Sequence, residues 1–197
     1  MQTLSMNIVI KGRLVVVVGG GPVALRKLRT LLTTGATVRL VATRILPELA
    51  MLAEQQGVQV RHAAYNSSDI DDAFLAIAAT DVEALNQQIA ADANTRGILV
   101  SVADNPASGN CLFPALLRRD DLEIAVSTGG NCPAFAVVVR DVIATVIGNE
   151  YGQILTQLTQ EREKLLTDGD ASTYNALVLR SRAVQLISEQ TERKDNE

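Results

Sequence analysis

Gly19-Gly20-Gly21-Pro22-Val23-Ala24 lies between an apolar run, Arg13–Val18, and a stretch in which Val23, Leu28, Leu31 and Leu32 recur at helical spacing. Joining a buried strand to a helix over so few residues needs backbone conformations that glycine supplies. The six residues fit G-x-G-x-x-G/A, with Ala24 in the third position. In that pattern Gly19 permits the tight turn and Gly21 lets the backbone approach a pyrophosphate. Ala24 allows close helix–strand packing, and the helix N-terminus attracts phosphate. Gly35 is placed to end the helix, and Thr37–Ala42 reads as a second strand, completing a β-turn-α-β unit. That context makes a weak motif specific. It predicts a nicotinamide dinucleotide site at Gly19, Gly20, Gly21, Pro22 and Val23; a sharp structural turn without a ligand is the alternative.

The same alternation continues along the chain. Leu46–Gln56, Val58–His62, Leu75–Ala78, Glu83–Thr95 and Leu99–Val102 read in turn as helix, strand, strand, helix and strand. Met6–Ile10 reads as an outer strand turned by Lys11-Gly12. Repeated β and α elements specify a parallel sheet with helices on both faces. Hydrophobic residues make up 47% of the chain and aromatics only 3%, which suits the aliphatic packing of such a sheet. With 197 residues there is room for one full domain and a smaller appendage. The fold class predicted is α/β: a Rossmann-type domain over residues 1–112, a small α+β dimerisation module over 113–149 and a C-terminal helical domain over 150–197.

Beyond Asp104 the rhythm changes. Cys111–Leu117 and Leu122–Ser127 read as two strands joined by a charged turn, Arg118–Asp121, and Pro133 starts a helix running to about Val146. From Gly152 the pattern is helical. Ile154, Leu155, Leu158 and Leu165 share one face, and Leu177, Val184 and Ile187 share a face of a second helix beyond a break at Asp168-Gly169-Asp170. Thr191–Glu197 is a charged, frayed end.

The formal net charge of −4 gives no electrostatic reason to bind nucleic acid. The longest apolar stretch, Leu14–Leu25, is broken by glycines and a proline, so no membrane span is expected. The start of the chain lacks the form of a signal peptide, and a cytoplasmic location follows. Cys111, Cys132 and His62 stand in no metal-binding spacing, and no metal site is predicted.

An acid often closes the second strand of such a unit and binds the ribose hydroxyls. Here Val41-Ala42-Thr43-Arg44 stands instead. Thr43 can serve the ribose; Arg44 can stack on adenine, accept a 2′-phosphate or remain solvated. The choice of NAD or NADP stays open on these residues. Thr80-Asp81 and Asp104 follow the strands Leu75–Ala78 and Leu99–Val102, and ligands in open α/β sheets bind beyond such strand ends. Asp104 is the candidate for proton transfer, against an Asx turn as its structural role. In Ser127-Thr128-Gly129-Gly130-Asn131-Cys132-Pro133, two glycines and two hydroxyls precede a helix. They make either an anion nest or an ordinary capping loop.

Taken in order, VVGGGPVALRKLRTLLTTGA, LAIAATD with Asn86-Gln87, VADNP, FPALLRRDDLEIAVSTGG and Pro133 resemble the precorrin-2 dehydrogenase / sirohydrochlorin ferrochelatase family. They are similar to the N-terminal half of bacterial sirohaem synthase and its standalone relatives, over Val15 to about Val146. The resemblance implies NAD-dependent oxidation of precorrin-2 to sirohydrochlorin, with ferrous iron (Fe2+) a second substrate where a member also chelates. It places the dinucleotide on Gly21, Pro22 and Val23, with Thr43 and Arg44 at its adenosine end, and makes Asp104 the essential acid. It implies a homodimer interlocked through the module after the Rossmann unit. Ser101 and Thr128 depart from the family's Asn and Ser. The chain carries no uroporphyrinogen methyltransferase domain, which assigns that step to a separate enzyme. Arg118, Arg119, Arg140, Ser127 and Thr128 are candidates for the substrate carboxylates, together with Gly129 and Gly130. Readings from other classes are a nucleotide-sensing regulatory module and a non-catalytic tetrapyrrole carrier.

Overall fold

The computed structural model describes residues 2–167 and 176–194. The expected helix break at 168–170 and the last residues of the charged end, 195–197, lie outside them. The chain divides into two compact units, Met1–Phe113 and Pro114–Glu197.

The first unit holds β1 (Leu14–Val18), α1 (Pro22–Leu32), β2 (Thr37–Val41), α2 (Pro47–Gln55), β3 (Gln59–Arg61), β4 (Leu75–Ala78), α3 (Glu83–Thr95) and β5 (Leu99–Val102). Its five strands are parallel in the order β3-β2-β1-β4-β5. The chain runs outward from β1 to one edge, then returns to β1's other side, so the crevice beyond β1 and β4 is the switch point where ligands bind. Side chains alternate across β1. Val15 and Val17 pack with Leu28 and Leu31 of α1 and Leu49 of α2, while Val16 and Val18 pack with Ile89 and Ala93 of α3. Helices therefore cover both faces of the sheet. Pro22 occupies the first turn of α1, and Gly35, at φ 71°, turns the chain back into β2.

Met6–Ile10 is not a strand. β1 already pairs on both sides, with β2 and β4, so a segment joined to it by the short Lys11-Gly12 turn has no sheet edge to reach. Leu4, Met6 and Val9 are exposed.

The second unit holds an antiparallel pair, β6 (Ala115–Arg119) and β7 (Leu122–Val126), followed by α4 (Pro133–Val146), α5 (Glu150–Thr167) and α6 (Ala176–Lys194). The turn is shorter than the sequence predicts. Arg118 and Arg119 belong to β6, and Asp120-Asp121 alone link the strands, Asp120 taking the left-handed conformation at φ 51°. Residues 111–114 are not part of β6: the Cys111 N–H is spent on the Val100 carbonyl, and Pro114 has no N–H to give. On α5, Ile154 is buried and Leu155, Leu158 and Leu165 are half-buried, as their spacing requires. On α6 the inner residue is Leu186 and Val184 is exposed, because the face turned inward runs through Leu179, Ala183 and Leu186. The Leu177 side chain lies outside the described set. No helix among the described residues is long and apolar enough to cross a membrane.

Candidate functional site

Two hydrogen bonds and two close backbone contacts fix the glycine loop. The Gly19 N–H donates to Val41 O (2.9 Å) at the end of β2, and the Leu46 N–H donates to Gly20 O (2.9 Å). Gly19 holds φ 128°, and a Cβ there would lie 2.2 Å from Ala79 O. At Gly20 a Cβ would lie 1.9 Å from Arg44 O, so this glycine is pressed between the loop and the segment after β2. At Gly21 nothing lies within 4 Å of where a Cβ would point. The first two glycines are thus set by protein backbone and the third faces open space. Ala24, the third position of the motif, is fully buried.

That space is a cleft of about 830 Å³ at the carboxyl ends of the strands. Gly19, Gly20, Gly21, Pro22, Val23, Thr43, Arg44, Thr80 and Asp81 all line it, together with Ala63, Ala64 and Tyr65. The α1 N-terminus opens onto it, a setting that favours phosphate. The backbone-only approach at Gly21 and this helix end fit a dinucleotide pyrophosphate. The Tyr65 hydroxyl donates to Asp92 Oδ2 (3.0 Å). Burial first, and that bond second, push its ionisation above the ordinary tyrosine value, so it is no base at neutral pH.

Asp104 stands at the end of β5 with an exposed side chain, and Asn86 ties it to the cleft. The Asn86 amide donates from Nδ2 to Asp104 Oδ1 (3.1 Å) and to Thr80 O (3.0 Å). Its Oδ1 accepts from Thr80 N (3.2 Å) and Thr80 Oγ1 (2.7 Å). Asn86 is 1% exposed with its amide fully used, so it holds Asp104 and the β4 end in fixed relation. Sequence reasoning gave Asn86 no role. The available signal was a polar residue on the inner face of a helix whose companions, Ile89, Ala90 and Ala93, are all buried.

In the second unit the Ser127–Cys132 loop is internally bonded. Gly129 and Gly130 take φ 60° and 82°. The Gly129 N–H donates to Ser127 Oγ (3.2 Å), and the Cys132 N–H donates to Thr128 Oγ1 (3.1 Å) ahead of α4. These hydroxyls brace the loop; neither caps the N-terminus of α4, whose N-cap is Cys132. The arginines also have partners within the chain. Arg118 pairs with Glu123 (2.8 Å) and Arg140 with Asp141 (2.6 Å). Arg119 donates to Ile147 O (2.9 Å) and Ala144 O (3.5 Å), placing its charge at the C-terminus of α4. No group of three or more His, Cys, Asp or Glu able to hold a metal occurs among the described residues.

A parallel sheet covered on both faces, with a glycine-built phosphate loop at its switch point, defines a Rossmann-type dinucleotide-binding protein. A family profile described as "Putative NAD(P)-binding" matches residues 6–115, and the chain belongs to that NAD(P)-binding family. It is 46% identical over 154 residues to a siroheme synthase of Ectopseudomonas mendocina (strain ymp), covering 78% of this chain and 33% of the relative. To a siroheme synthase of Pseudomonas aeruginosa (strain LESB58) it is 43% identical over 156 residues, covering 79% and 34%. The chain therefore spans about a third of the length of these relatives. Among solved structures it is similar to SirC, a precorrin-2 dehydrogenase, with a TM-score of 0.71 and 25% identity, covering 95% of this chain and all of that one.

Proposed function

We propose that this chain oxidises precorrin-2 to sirohydrochlorin, with NAD held in the cleft by the glycine loop. The observation that carries the reading is the pairing of two features in one unit. A cleft lined by the glycine loop opens at the sheet's switch point, and an acid at the end of β5 is tethered to that cleft through Asn86 and Thr80. The likeness to SirC over nearly the whole chain supports it. NAD, when bound, supplies the hydride acceptor. Gly19, Gly20, Gly21, Pro22 and Val23 hold its phosphates, Thr43 and Arg44 its adenosine end, and Thr80 and Asp81 the end beyond β4. Asp104 takes the proton lost from the tetrapyrrole. Asn86 occupies Oδ1 and leaves Oδ2 to face substrate.

The substrate carries several carboxylates, and we assign them to the Ser127, Thr128, Gly129 and Gly130 loop with Arg118 and Arg140. Arg119 is already engaged at the helix end. Residues 113–149 form the dimerisation module in this reading and 150–197 a C-terminal helical domain. Methylation of uroporphyrinogen, which makes the substrate, falls to another enzyme or domain.

Anaerobic mixing of the purified chain with precorrin-2 and NAD should give the absorbance of sirohydrochlorin. Asp104→Ala should slow this by about 10²–10⁴-fold, the usual contribution of a general base. Near-normal turnover in that variant would remove Asp104 from the chemistry. No dinucleotide-dependent turnover at all would leave a sensor or a carrier. Supplying sirohydrochlorin and Fe2+ in the same cuvette tests chelation, for which a rate above background is required.

A further inference from the structure

We propose that the adenosine end of the cleft holds a 2′-phosphate on Arg44, so that this chain takes NADP as well as NAD. The inference rests on the cleft being a dinucleotide site and goes on to specify which dinucleotide it accepts.

Selectivity between the two cofactors is decided where β2 ends. A carboxylate there bonds the ribose 2′-hydroxyl and repels a phosphate in its place; an arginine does the reverse. From Thr37 to Pro47 this chain has no acidic residue. Thr43 and Arg44 occupy the position, are exposed, and line the cleft. The base from which the Arg44 side chain projects is fixed. Its carbonyl oxygen lies against Gly20, leaving no room for a Cβ, and the next turn is tied down by Leu46 N–H to Gly20 O (2.9 Å). Position 44 is therefore held beside the loop that cradles the pyrophosphate.

The guanidinium has nothing else to do. Among the described residues Arg44 makes no hydrogen bond or ion pair, unlike Arg29, Arg39, Arg61 and Arg96 of the same unit, each of which is bonded. The carboxylates that could compete are placed elsewhere. Glu48, in the first turn of α2, pairs with Arg29. Asp81 follows β4, which β1 separates from β2 in the sheet, roughly 10 Å away at the usual strand spacing. A 2′-phosphate at this end thus meets a cation with free donors and a threonine hydroxyl, with no nearby unpaired acid. Arginine's fork suits a phosphate better than a neutral hydroxyl, which gives the preference its direction.

Calorimetric titration of the full chain with NAD and with NADP, in the absence of tetrapyrrole, tests this directly, since the two ligands differ only in the 2′-phosphate. Wild-type protein should bind NADP at least as tightly as NAD, and added salt should weaken NADP more. Arg44→Ala should loosen NADP by about ten- to a hundredfold, the range for hydrogen bonds to a charged group, and lower the NADP/NAD affinity ratio accordingly. Arg44→Lys should restore part of that ratio. Wild-type protein that binds NADP more than tenfold more weakly than NAD overturns the proposal. So does an Arg44→Ala chain that loses both ligands equally, which would mean stacking on adenine. If NAD itself does not bind, the dinucleotide reading of the cleft fails and this inference fails with it; NAD binding with NADP rejected sinks the inference alone.

Discussion

A methyl group at Gly20 would sit 1.9 Å from the Arg44 carbonyl oxygen, whereas at Gly21 it would meet nothing within 4 Å. The same substitution therefore separates folding from binding. Gly20→Ala must displace backbone on both sides of the contact and should cost about 2 kcal/mol or more in urea unfolding. Gly21 has φ −94°, which alanine adopts freely, so Gly21→Ala should keep the wild-type midpoint. Its methyl group stands where the phosphates approach, and NAD affinity should fall at least about tenfold by calorimetry. Equal loss of stability in both variants would show that the third glycine is structural. The motif made all three glycines legible. It gave the turn to Gly19 and the ligand approach to Gly21 but no job to Gly20, because what Gly20 touches is a residue more than twenty positions further on. Asn86 shows the same limit: its bonds to Thr80 and Asp104 depend on how β4, α3 and β5 come together.

At the scale of elements, α4 is the informative case. Its bounds follow from local signals, a proline at the first helical position and an Ala/Val-rich run, and the helix spans Pro133–Val146 as read. Arg119 meets carbonyls at its end within the second unit. The helix's apolar stripe is exposed. Phe135, Val138, Val142 and Val146, at helical spacing, are 59%, 56%, 61% and 65% exposed. Such an exposed stripe fits the dimerisation role proposed for this module. Val142→Asp should convert a dimer to a monomer in sedimentation velocity while leaving the circular dichroism of the helices unchanged; a wild-type chain that sediments as a monomer removes the role. Where the elements were misjudged, neighbours decided the matter. Met6–Ile10 has strand composition but no free edge beside β1, and α6 turns Leu186 inward instead of Val184.

The stability of the molecule as a whole carries a mark of Lys27. Burial chiefly, and the neighbouring Arg26 charge next, bring this α1 lysine from 10.5 down to about 8, with its ammonium 3.6 Å from the Phe113 ring centroid. Between those two values the unfolded chain holds a proton that the folded chain has released, so stability from this group rises with pH. Burial raises the Cys111 thiol, and the Tyr65 phenol is raised as well; both act in the opposite sense at alkaline pH. The comparison must therefore be with Lys27→Met measured in parallel. From pH 7.5 to 10 the wild-type chain should gain about 1–2 kcal/mol on the variant, discounted for partial exposure. Curves that stay parallel would show that Lys27 is solvated.

Sequence alone determined the glycine loop, the alternation of strands and helices, and the acid at the end of the fifth strand. Each is written in local terms: a backbone conformation that glycine supplies, a hydrophobic period, a residue placed just after an apolar run. Only the tertiary structure decided the strand order, the tether from Thr80 through Asn86 to Asp104, the contact that fixes Arg44 beside Gly20, and which arginines are already bonded. Those are relations between residues far apart in the chain. They are set by which surfaces bury together, and no local pattern encodes them.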